Sequence, residues 1–159
     1  ASGGWSLCHT LSYMSERPRP RHAVRELRSF RLPAETAARL DRSAAASGVT
    51  RTALAERLLD EGLRRIRHPR IDFVYGPAGR RPFVLGTGLD VWEIVATIRA
   101  NNDSIEEAAD YLQVPSAIVE AAARYHAEFA DEIDRRIEAN QAMAEREERL
   151  YRQQITRRT

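Results

Sequence analysis

A short run of alternating polar and apolar residues, Arg28-Ser29-Phe30-Arg31-Leu32, leads through Pro33 into two helical patterns parted by Gly48-Val49-Thr50. Phe30 and Leu32, set between Ser29 and Arg31, repeat with the period of two expected of a strand with one apolar face. A lone strand ahead of a helical hairpin exposes unpaired backbone N–H and C=O groups along its edges. The natural remedy is the same strand of a second copy. The segment 26–67 therefore predicts an obligate dimer.

The flanking residues support this layout. Pro33 fits the first turn of a helix, where its missing N–H costs nothing. That helix runs to about Ser47, burying Ala37, Leu40 and Ala44, and Gly48 supplies a left-handed stop. Thr50 is a good N-cap for a second helix, whose stripe of Leu54, Leu58, Leu59, Gly62, Leu63 and Ile66 recurs at helical spacing. His68-Pro69 ends it and marks a domain boundary.

Charge divides the chain at the same place. Residues 1–68 carry 13 arginines against 7 acidic residues, whereas residues 69–159 carry 12 against 16. The front, at +6, points to a polyanion partner; the rear, at −4, looks built for protein. With Cys8 as the lone cysteine, thiols can build neither an internal disulfide nor a zinc cluster, and a reducing cytoplasm is expected. No apolar run is long enough to span a bilayer, so no membrane partner is expected. Residues 1–13 lack the basic start and apolar core of a signal peptide and read as a leader or an appended remnant, with Met14 a native start. Residues 15–25 hold Pro18, Pro20 and several arginines: a basic arm, either solvated or gripping nucleic-acid backbone.

Beyond Pro69, Ile71-Asp72-Phe73-Val74-Tyr75 and Arg81-Pro82-Phe83-Val84-Leu85 are short β-type runs flanking Gly76-Pro77-Ala78-Gly79, a hairpin signature. Asp90 with Glu93, and Ser104 with Glu107, form capping boxes for helices over 91–100 and 105–112. After the tight turn at Gln113-Val114, Pro115 opens a third helix that continues unbroken to Arg136. Ala109, Val114 and Ile118 at packing positions make the last two a helix-turn-helix. From 131 to 152 the chain is dense in Glu and Arg, with few large apolar residues. It reads as a helix that frays alone and orders on a partner, or as a solvated helix tip.

On Ser29-Phe30-Arg31-Leu32-Pro33, the Gly48-Val49-Thr50-Arg51-Thr52 turn and the Leu58-Leu59 stripe, residues 27–65 resemble the ribbon-helix-helix family of bacterial DNA-binding proteins. The resemblance implies an antiparallel two-stranded ribbon in the major groove of double-stranded operator DNA. It points Ser29 and Arg31 at base edges, Arg31 in reach of a bidentate contact to guanine, and seats Phe30 and Leu32 in the dimer core. The backbone N–H groups of Thr50, Arg51 and Thr52 would hold a phosphate. Arg28 departs from the family: alternation turns it inward, where an apolar residue is usual, so it either snorkels to a phosphate or marks a frayed strand end.

The rear is similar to a small helix-turn-helix domain found in bacterial antitoxins. It matches through Gly79-Arg80-Arg81-Pro82-Phe83-Val84-Leu85-Gly86-Thr87, Val91-Trp92-Glu93-Ile94 and the Ser104-Ile105-Glu106-Glu107 helix start; Gly88 stands where that domain commonly carries arginine. The two domains in tandem resemble antitoxins of type II toxin-antitoxin pairs. That resemblance implies an autorepressor that also masks a cognate toxin, often a PIN-type ribonuclease, with Arg149, Arg152, Arg157 or Arg158 of the tail entering its carboxylate-lined site. For the exposed third-helix positions Ser116, Glu120 and Arg124, protein contact is favoured over DNA because the preceding helix is acidic.

The expected fold class is mainly α: a ribbon-helix-helix dimerisation domain (26–68) behind a basic arm (1–25), then a β-hairpin plus helix-turn-helix domain (69–130) and a helical tail (131–159). An enzyme is not expected. His126, Glu128 and Asp131 can cluster but are more simply solvated, no nucleophile stands beside a base, and Gly86-Thr87-Gly88 is too short for a phosphate loop. No cofactor and no metal is expected. Two other readings stand beside the antitoxin: a free-standing ribbon-helix-helix repressor whose rear domain only oligomerises, and an interaction scaffold with incidental basic charge.

Overall fold

The computed structural model describes residues 26–76 and 79–156, which form six helices and one two-stranded antiparallel hairpin. In chain order these are α1 (Ala34–Ala46), α2 (Arg51–Arg67), β1 (Ile71–Gly76), β2 (Gly79–Val84), α3 (Val91–Ala100), α4 (Ile105–Leu112), α5 (Ser116–Glu128) and α6 (Ala130–Thr156). None of these helices is long and apolar enough to cross a membrane.

The rear elements share one core. The hairpin pairs Ile71 with Val84 and Gly76 with Gly79, which turns Ile71, Pro82 and Val84 inward. Val84 passes its N–H to Leu89 O at 2.9 Å, and the Thr87 hydroxyl bridges the same turn by donating to Val84 O and accepting from Leu89 N. Gly86 and Gly88 stand at φ +83° and +72°, a left-handed region where an arginine would be strained. This is a local reason for glycine at 88. At the start of α3 the Glu93 carboxylate accepts the Asp90 N–H at 2.7 Å, as the capping pattern required. At α4 only half of the expected box forms: Ser104 Oγ accepts from Glu107 N, but the Ser104 N–H goes to Asn101 O at 2.9 Å and leaves nothing for Glu107 to cap.

α4 ends on Gln113 at φ +55°, and the turn brings Ala109, Val114 and Ile118 together as expected of a helix-turn-helix. Both prolines read as first helical residues, Pro33 and Pro115, sit one position earlier as N-caps, with ψ near 140°. The expected unbroken helix to Arg136 is overturned: α5 stops at Phe129 (φ −123°, ψ 40°) and α6 starts at Ala130. Phe129 closes one helix and opens the next, its N–H donating to Tyr125 O and its carbonyl accepting from Glu132 and Ile133. The break lets α6 turn back so that Ile133 and Ile137 are buried against α3 and α5, a gain in apolar burial that a straight helix would forfeit.

The front half is open. α1 and α2 meet through Ala44 and Leu54, both buried, and Gly48 at φ +64° makes the left-handed stop. Residues 28–32, expected as a strand, carry no regular structure, and neither do their neighbours 26, 27 and 33. The physical reason is that within a single chain no described strand lies alongside to satisfy their backbone groups. Leu58, Leu59, Leu63 and Ile66 of the α2 stripe are exposed.

Candidate nucleic-acid interface

The stripe is open because α2 packs on the rear of the molecule with its charged side. Arg57, Glu61, Arg64, Arg65 and His68 recur at helical spacing and face β1, β2, α5 and α6. Glu61 is only 4% exposed, and its carboxylate is gripped by both the Nε and the Nη2 of Arg80, the latter at 2.6 Å. The Glu61 hydrogen bond raises the Arg80 pKa against the opposing effect of burial. Arg64 donates to Tyr125 Oη at 2.7 Å and to Glu132 Oε2 at 2.6 Å, and lies 4.1 Å over the Phe129 ring. Burial disfavours its charge, yet these two hydrogen bonds outweigh that and raise its pKa. Burial also pushes the Tyr125 phenol up to about 12, more strongly than the Arg64 contact pulls it down.

At the end of the helix Arg67 and His68 share the Glu128 carboxylate at 2.6 and 3.0 Å, which holds Glu128 below the ordinary carboxylate range. The seam thus crosses the His68-Pro69 junction. Sequence reading passed over it because arginines and glutamates on a helix pattern as a solvated face. The one available signal was their recurrence at 57, 61, 64, 65 and 68, opposite an equally regular leucine stripe.

With the charged side engaged, the apolar side of α2 faces an open groove of about 740 Å³ beneath residues 30–32. Phe30, Leu32, Leu40, Ala55, Leu58 and Leu59 form its apolar lining, and Arg31 and Arg39 stand at its rim. Of the expected DNA-binding residues, Ser29 and Arg31 are exposed, and Arg28 is also exposed but ion-paired with Glu26 two residues away. The Thr50 hydroxyl is committed to the helix cap, accepting from Ala53 N at 3.1 Å. Arg51 lies 3.5 Å from Asp41 with both side chains exposed, an arrangement worth little in stability, and Thr52 is exposed. The first turn of α2 contains no acidic residue, so its leading N–H groups present an uncompensated positive end. Among the described residues no hydrogen bond or ion pair links 28–31 to 50–52.

In the tail, Arg149 and Arg152 sit on the exposed part of α6 and pair with Glu145 and Glu148 one turn earlier. Arg157 and Arg158 lie outside the described residues. His126, Glu128 and Asp131 do not converge: His126 Nε2 lies 2.9 Å from Asp134, and Glu128 turns to Arg67 and His68. Among the described residues no group of three or more His, Cys, Asp or Glu is placed to hold a metal ion. Trp92 is partly buried against the core, its indole N–H donating to Asp90 Oδ2 at 3.0 Å, beside the Arg81–Asp90 ion pair. The exposed α5 positions Ser116, Glu120 and Arg124 include an ion pair, Arg124 to Glu120 at 3.3 Å.

No family model, no curated protein and no solved structure matches the chain.

Proposed function

We propose that the chain is a DNA-binding antitoxin. Two copies pair their 26–33 segments into a ribbon that binds double-stranded operator DNA and represses the chain's own operon, while the rear domain and α6 neutralise a cognate toxin, a PIN-type ribonuclease. One observation carries the reading: Phe30 and Leu32 lie with Leu58 and Leu59 around an apolar groove, beside backbone that has no strand partner among the described residues. A second 26–33 segment supplies both missing items, hydrogen bonds for the strand edge and apolar side chains for the groove. In such a ribbon Phe30 and Leu32 turn to the core, so alternation turns Ser29 and Arg31 outward to base edges. The α2 N-terminus, free of acid, then takes a backbone phosphate through the N–H groups of Thr50, Arg51 and Thr52. On the toxin side, the exposed arginines Arg149 and Arg152, with Arg157 and Arg158 following in sequence, are the residues offered to a carboxylate-lined metal site.

The free-standing repressor draws on one observation of its own: the exposed apolar residues of α6 suit oligomerisation as well as they suit a toxin. Binding of the full chain to the DNA upstream of its own gene, measured by fluorescence anisotropy, tests the shared part of both readings. Arg31→Ala is expected to cost about 1 to 3 kcal/mol at the contacted base pair and to relax preference there. Unchanged affinity and unchanged preference would remove the ribbon from the account. Co-purification with the product of the adjacent gene separates antitoxin from free-standing repressor, since only the first requires it.

A further inference from the structure

Where α2 ends against the rear core, a second cleft of about 410 Å³ opens between residues 67–71 and one side of α5. Ala121, Arg124 and Glu128 recur on that side at helical spacing, and Ala121 with Ile71, both nearly sealed from solvent, makes the base apolar. The walls are cationic. Arg67, Arg70 and Arg124 line the cleft against Glu128, its one acid among the described residues. Glu128 is already taken from the α2 side by Arg67 and His68.

The other two guanidiniums have no such partner. Arg124 meets Glu120, one turn earlier on its own helix at 3.3 Å, with both side chains more than half exposed, so water and salt leave that pair weak. The Arg70 guanidinium has no hydrogen-bond or ion-pair partner among the described residues, although the Arg70 carbonyl accepts from Leu85 N. Two like charges thus line one concave space from different elements, one on the turn before β1 and one on α5. An anion between them relieves their repulsion. A phosphate group suits the position, because its terminal oxygens can accept from two guanidinium forks at once in charge-assisted hydrogen bonds. The cleft volume lies at the small end for ligand pockets, which favours a compact molecule whose carbon part meets the apolar base. We propose that this cleft binds a small phosphorylated metabolite, its phosphate held between Arg70 and Arg124 and its carbon part against Ile71 and Ala121. None of these residues belongs to 28–31 or 50–52, so the site is separate from the front interface. It adjoins the contacts of Glu128 with Arg67 and His68 that fasten the end of α2 to the rear.

Thermal unfolding of the full chain in inorganic phosphate, against chloride at equal ionic strength, tests this. The wild type is expected to gain melting temperature with a saturating dependence on phosphate. Arg70→Ala with Arg124→Ala, two exposed positions, should raise the half-saturating concentration about tenfold or more. An equal gain in wild type and variant is a general salt effect and overturns the proposal, as does a gain that never saturates. Phenyl phosphate is expected to half-saturate at a lower concentration than inorganic phosphate, and the reverse order overturns the metabolite in favour of a bare ion. Backbone phosphate of DNA is distinguished by fluorescence anisotropy on the DNA upstream of the chain's own gene, where the double variant should match the wild type. A fall in DNA affinity there would give the two arginines to the duplex and overturn the proposal.

Discussion

In the rear half Val91, Ile94, Val119 and Ile133 are wholly shielded from solvent, whereas in the front half Phe30 is 71% and Leu59 55% exposed. Both halves are built of amphipathic elements with comparable apolar residues, so the difference does not lie in composition. It lies in which face finds a cover within one chain. The rear has a hairpin and four helices to wrap around one core, with the Phe129 break folding α6 back to complete it. Among the described residues the front has two helices and a segment without a strand partner, and α2 has already committed its charged side to the rear through Glu61, Arg64 and His68. A helix attached by its polar side keeps its apolar side outward, and that is why Leu58, Leu59, Leu63 and Ile66 are exposed.

The sharpest break of this comparison comes from matched truncations. Ile133→Ala in the rear is expected to cost about 2 to 5 kcal/mol in denaturant unfolding, since it opens a cavity in a closed core. Leu63→Ala in the front, measured in dilute solution, should cost under about 0.5 kcal/mol, because the side chain is already in water. Equal costs would mean that the front stripe is covered within one chain after all.

The polar seam comes next in size. Glu61→Ala strands Arg80 without its partner and is expected to lower stability by about 1 to 3 kcal/mol. A double-mutant cycle with Arg80→Ala should recover most of that as coupling, read from urea midpoints. Absence of coupling would mean that α2 is not held to the hairpin in this way, and its apolar face would then be free to turn inward.

The smallest effect is spectroscopic. Tyr125 is expected to ionise only at a pH of about 12, up from 10.0, because burial disfavours its phenolate more than the neighbouring Arg64 favours it. Its folded-state value lies above the unfolded one. The stability it contributes is therefore fully present below pH 10 and is lost as pH rises through about 12. Phenolate absorbance should show this as a late step that Tyr125→Phe removes. A single titration with no late step would place Tyr125 in water and the seam apart.

Helix starts and stops were legible wherever a side chain bonds to its own nearby backbone: Thr50, Ser104 and Asp90 with Glu93, and the left-handed Gly48. The hairpin followed from β-type residues bounded by glycines. What escaped was long-range. The Phe129 break has no proline or glycine to announce it, and arises because Ile133 and Ile137 gain burial by turning back. Glu61 looks like any exposed helix glutamate until Arg80, 19 residues later, closes on it. For the candidate interface, residue types and their alternation were readable at 28–32 and 50–52. The missing cover over Phe30 and Leu59 was not, because exposure belongs to the packed chain.

The amino-acid sequence by itself determined the mainly helical character, the hairpin, the capped helix starts and the two amphipathic stripes, because each depends on contacts within a few residues. Only the tertiary structure decided which side of α2 and how much of α6 would be covered. Those choices weigh burial of one face against another across the whole chain, and residues 60 or more positions apart, such as Arg64 with Tyr125 and His68 with Glu128, settle them.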